Sequence, residues 1–90
     1  MKTLKKIPLK LVEVKHIPSE MEFGKFYYSE EFSVANHLCP CGCGEQVPVP
    51  VKKGEWAIYT KKPLAVSPSF QRRLGCKSHY IITNGNANIV

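Results

Sequence analysis

The sequence predicts a mostly β protein: a small antiparallel sheet stapled by a metal and finished by a C-terminal β-hairpin. Three observations carry that expectation. β-branched and aromatic residues recur in short runs between turn signals, and no window keeps a long 3.6-residue apolar period. Asn84-Gly85 separates HYIIT from NANIV, and this pair suits a type I′ turn, which needs positive φ at both central residues. All 4 cysteines fall in two tight clusters, Cys39, Cys41 and Cys43 in CPCGCG and Cys76, with His79, in CKSH.

Taken along the chain, a first strand is expected from Leu9 to Ile17, ended by Pro18, with Ser19 and Glu22 as the capping box of a single helical turn. Gly24 marks a turn before a second strand, Lys25 to Ser29. Phe32 to Leu38 reads as extended, or as a helical turn followed by a strand that delivers the first cysteines. In QVPVPV, Pro48 and Pro50 remove amide donors on alternate positions, which marks an edge strand. Lys53-Gly54 supplies a turn, and Glu55 to Thr60 is expected to return antiparallel with Trp56 as a core anchor. LAVSPSFQRRLG reads as a short strand and a Ser-Pro turn at Ser67 and Pro68, and the C-terminal hairpin closes the fold.

A metal accounts for the cysteine clusters best. Thiolates around a tetrahedral zinc lie ~3.8 Å apart, given Zn–S bonds of ~2.3 Å. Alternate residues of a straight strand lie ~6.6 Å apart, so the chain must curl between Cys39, Cys41 and Cys43. Gly42 and Gly44 permit the curl, and Pro40 stiffens it. Folding back brings Cys76 and His79 to the first cluster in a layout of zinc-ribbon or rubredoxin-like knuckles, and a structural metal offsets the chain entropy of closing that loop. The donors fit Cys₃His or Cys₂His₂-like chemistry, and spacing alone does not pick the surplus one. His37, two residues before Cys39, is a further candidate, with a hydrogen-bonding role beside the site as the blander reading. His16 reads as a surface histidine. Zinc comes first. Iron is the alternative, in a four-thiolate site or as [2Fe–2S], although His37-Leu38-Cys39 reverses the Cys-x-His order of a Rieske loop.

Composition bounds the rest. Residues 1–90 are expected to form one metal-binding domain whose modest core benefits from a metal staple. MKTLKKIPLKLVEV has neither the apolar stretch nor the cleavage site of a secretory signal, and no run is long enough to span a membrane, so the expected compartment is the cytoplasm. There, clustered cysteines favour metal over disulfides. The net charge of +6 and the pairs Lys52-Lys53, Lys61-Lys62 and Arg72-Arg73 raise nucleic-acid binding as an alternative. Solvated strand-end charge accounts for them more simply.

Signals for catalysis are sparse. The chain has no aspartate, lacks HExxH and lacks the zinc-deaminase signature. Glu45, the one carboxylate beside the first cluster in sequence, reads as a solvated group. A cysteine nucleophile would need thiol and imidazole groups that the ligand reading consumes. The balance favours a module without catalytic activity.

IPSEMEFGKFYYSEEF, ANHLCPCGCGEQVPVP, Trp56, SPSF and CKSHYIITNG together resemble a family of small bacterial proteins of unknown function, proposed metal binders, some encoded beside prokaryotic ubiquitin-like proteins and their E1-, E2- and JAB-like partners. The resemblance runs from Ile17 to about Val90. It implies a metal site drawn from Cys39, Cys41, Cys43, Cys76 and His79. The chain departs from the family pattern at Ile81, where an aromatic residue is usual, and in ending NANIV without a tryptophan. The functional expectation is an accessory or adaptor module for another protein, with a ubiquitin-like or conjugating component as the partner the resemblance implies. A basic nucleic-acid-binding module and an iron redox protein are the alternatives.

Overall fold

A computed structural model describes residues 5–52, 54–71 and 79–89. These residues form β1 (Lys5–Pro8), β2 (Lys10–Glu13), β3 (Lys25–Ser29), β4 (Val34–Leu38), β5 (Gln46–Pro50), β6 (Ala57–Lys61), β7 (Leu64–Gln71), β8 (His79–Thr83) and β9 (Asn86–Ile89), with no helix among them. Consequently no helix is long and apolar enough to cross a membrane among the described residues. The fold class is as expected, but the strands make two sheets, a five-stranded one in the order β1-β9-β8-β7-β6 and a four-stranded one in the order β2-β3-β4-β5. Pairing is antiparallel except between β2 and β3, which run parallel.

The expected first strand is instead two strands in different sheets. Pro8 has no amide to continue the ladder of β1, and the chain crosses between the sheets at Leu9, which is buried in the core. Backbone bonds hold the crossing: the Leu9 amide donates to Gly85 O and the Lys10 amide to Gly24 O, both at 2.9 Å. β2 then ends at Glu13, short of Ile17, and the Ser19 to Glu22 stretch is bends and irregular chain rather than a helical turn. The Glu22 amide donates to the Tyr27 hydroxyl at 3.1 Å, and its carboxylate, paired with Lys25, is held below the usual carboxylate range by that bond and charge.

β5 is an edge strand, as its prolines require. For the same reason β6 does not return along it. A parallel bridge between Val51 and Trp56 links the two segments, and β6 pairs with β7 in the other sheet. Ser67 and Pro68 do not turn the chain either. β7 runs through them, and its register against β8 shifts between Val66 (opposite Ile82) and Phe70 (opposite Tyr80), a bulge that accommodates a proline lacking a ladder donor.

The C-terminal hairpin has the expected turn, with φ of 53° at Asn84 and 75° at Gly85. The Gly85 amide also donates to Leu64 O at 3.0 Å, so the turn is tied to the start of β7. A side chain at that left-handed position is strained. Gly85→Val is expected to cost about 1–2 kcal/mol, read as a lower urea midpoint with an unchanged slope.

The inner faces of both sheets share one core. Phe26, Ala35, Val47 and Val49 from the four-stranded sheet meet Leu64, Val66, Phe70, Tyr80, Ile82 and Ala87 from the other. An aromatic layer crosses it. Trp56 stacks on Phe70 with ring centroids 5.4 Å apart, Phe70 stacks on Tyr80 at 5.1 Å, and His37 sits edge-on to both and 5.2 Å from Phe26. At the rim, Lys61 of β6 pairs with Glu13 of β2 at 2.7 Å and lies 5.7 Å from the Tyr28 ring centroid, clasping the sheets. The bond to Glu13 raises the Lys61 pKa.

Candidate functional site

The loop between β4 and β5 carries the first cysteines. The Cys39 amide donates to Glu45 O at 2.8 Å and the Gly42 amide to Cys39 O at 3.1 Å, which curls the chain back on itself. Gly42 and Gly44 take φ of 91° and 84°, the left-handed conformations that the curl demands. As a result the sulfurs of Cys39, Cys41 and Cys43 all lie within 4.8 Å of one another, with Cys39 and Cys41 Sγ 3.3 Å apart. Cys39 is fully buried, and Cys41 and Cys43 are exposed.

That geometry fits a metal. The spacing brackets the ~3.8 Å between thiolates on a tetrahedral zinc, with one thiol buried and two exposed among the described residues. Cys76 lies outside the described residues. His79 and His37 are not members of the three-thiol group, and each ring has a partner elsewhere. The fully buried His37 sets its Nε2 2.7 Å from the Tyr80 hydroxyl, a bond across the core between the two sheets.

His79 sets its Nε2 3.2 Å from Ser69 Oγ. The pair follows from the sheet's alternation. Phe70 and Tyr80 face each other and point into the core, so the residues directly before them, Ser69 and His79, fall on the opposite, outer face of the sheet. Both are half-buried. The stacked Phe70 and Tyr80 rings fix the two strands from behind, and the bulge in β7 sets the local offset between them.

A hydroxyl in hydrogen-bond contact with an imidazole can act as a nucleophile with its general base. Sequence reasoning missed Ser69. No Gly-x-Ser-x-Gly elbow announces it, and SPSF reads locally as a turn. The signal available was the pairing of a serine-bearing run with SHY across two strands, which becomes visible only when their register is known.

Of the basic pairs, Lys61 and Lys62 are described together and line one groove with Lys10. Lys53, Arg72 and Arg73 lie outside the described residues, and Lys61 is engaged with Glu13. Surface His16 packs its ring 5.3 Å from Phe32, away from the site in sequence.

Residues 13–90 match the family model described as "Bacterial ubiquitination-like system serine protease (BubE)". No curated protein and no solved structure matches the chain.

Proposed function

The chain belongs to the BubE family of the bacterial ubiquitination-like system, and we propose that it is a serine peptidase with Ser69 as nucleophile and His79 as general base. The observation that carries this reading is the 3.2 Å contact between Ser69 Oγ and His79 Nε2 on the open face of the five-stranded sheet. For Ser69 to donate to Nε2, the neutral imidazole holds its proton on Nδ1. Ser69 Oγ then adds to the scissile carbonyl as His79 takes the hydroxyl proton. Return of that proton to the leaving amine breaks the C–N bond and leaves an acyl ester on Ser69. Water, deprotonated by the same imidazole, hydrolyses the ester and restores the serine. The family description supports a ubiquitin-like protein or its conjugate as substrate and hence a protein partner.

The thiol knuckle is assigned a separate, structural role. Cys39, Cys41 and Cys43 together with Cys76 would make a closed four-thiolate set, which suits zinc and leaves His79 to Ser69. When bound, zinc would supply cross-linking of the β4–β5 loop to the chain near Cys76, and the hydrolytic steps run on Ser69 and His79 alone.

Labelling with a fluorophosphonate tests the nucleophile. One adduct per chain is expected, located on Ser69 by peptide mass spectrometry, lost in Ser69→Ala and strongly slowed in His79→Ala. Folded, metal-loaded protein that takes no label would remove the peptidase reading and return the protein to the non-catalytic adaptor that the sequence alone favours.

A further inference from the structure

Beside Ser69, the outer face of the five-stranded sheet is hollowed into a groove of about 420 Å³. β6 supplies Tyr59 to one wall, β8 supplies Ile81 and Thr83 to the other, and Ala65, Ser67 and Ser69 of β7 run between them. None of the described residues lining it carries a charge. An outward-facing sheet surface in water is normally polar, yet Tyr59 is 72% and Ile81 38% exposed. They are two of the four large exposed hydrophobics among the described residues, Phe23 and Phe32 being the others, and they converge on the strand that bears the candidate nucleophile.

We infer that this groove is a substrate subsite that takes an extended peptide segment through an uncharged, apolar side chain close to the bond presented to Ser69. Its volume lies in the range of small-ligand and peptide sites. Its open trough shape suits an extended chain laid over the sheet, with the apolar side chain of that segment covering Tyr59 and Ile81. A carboxylate or ammonium at the same position would be stripped of water with no counter-ion among the described lining residues, so charged side chains are rejected. Ser67 and Thr83 offer hydroxyls for backbone amides of the bound segment. The catalytic consequence rests on the peptidase reading of Ser69, while the binding itself does not.

The test therefore reads binding and labelling separately. Full-length, metal-loaded Ser69→Ala protein, ¹⁵N-labelled, is titrated with capped hexapeptides built from Ala, Gly and Ser that carry one Leu at each position in turn, and with the matching Glu set. Saturable amide shifts centred on Ala65, Ile81 and Thr83 are expected for at least one Leu peptide, with its Glu counterpart about 10- to 100-fold weaker. Ile81→Glu in the same background should abolish that preference. The side chain at position 81 is partly exposed, and the contact from Asn88 Nδ2 goes to its backbone oxygen, so the fold tolerates the change. Equal binding of Leu and Glu peptides, shifts centred elsewhere, or no shift with any peptide at millimolar concentration would overturn the subsite. A missing fluorophosphonate adduct on wild-type protein would instead overturn the peptidase reading, and the two failures are distinguishable.

Discussion

Ser69→Ala and His79→Ala should each lower kcat/KM for peptide-bond cleavage by about 10⁴-fold or more, because each removes one half of the proposed nucleophile–base unit, whose members act together. The double variant should be little worse than either single one, since effects within such a unit are strongly non-additive. The argument rests on geometry. Ser69 Oγ and His79 Nε2 are 3.2 Å apart and half-buried, and the strands that carry them are held from behind by the stacked pair Phe70 and Tyr80. Removing either polar side chain from the outer face leaves that inner packing intact, so both variants should unfold within about 1 kcal/mol of wild type. His79→Ala also separates two roles for the imidazole. As a general base, its loss leaves the metal content at one per chain. As a ligand, its loss lowers that content and the stability with it. Unchanged kcat/KM in Ser69→Ala would end the proposal outright.

How much of this was readable beforehand depends on whether a feature is set locally. The hairpin was legible because Asn84-Gly85 alone dictates positive φ twice. The thiol knuckle was legible because glycines at Gly42 and Gly44 are what a curl between alternate cysteines requires. The edge character of β5 followed from Pro48 and Pro50. What failed was set by tertiary partners. Whether Ser67-Pro68 turns the chain or continues as a strand is decided by the neighbours β6 and β8, and only the continued strand runs Ser69 alongside β8 and His79. The change of sheet at Leu9 is equally non-local, since it is anchored by Gly85 and Gly24. His37 reads in sequence as a candidate ligand or, more simply, a hydrogen-bonding neighbour of the cysteines, and register places it in the core opposite Phe26 with its ring bonded to Tyr80.

Cys39→Ser, or chelation of the wild-type protein, should destabilise the fold by at least about 4 kcal/mol, which for a chain of this size shifts Tm by more than about 15 °C. Structural zinc contributes ~10–16 kcal/mol to the folding of small zinc peptides. A domain of this size holds a net stability of only about 5–15 kcal/mol, so loss of a metal bound at the proposed site would leave little margin. Cys39 is the thiol with the largest expected effect because it is fully buried at the end of β4, and its replacement also puts a polar hydroxyl where a thiol packs against the core. The consequence should extend to the Ser69–His79 pair. His37 and Cys39 share the inner face of the same chain segment, and His37 bonds across the core to Tyr80, the residue that follows His79. Loosening the knuckle therefore frees the segment that buttresses β8, and fluorophosphonate labelling of Ser69 should fall along with metal content, before far-ultraviolet circular dichroism reports loss of the sheets. Readdition of zinc should restore labelling. Labelling and Tm that both stay at wild-type values after the metal is stripped would show that the knuckle and the pair are independent, and would remove the structural role assigned to zinc.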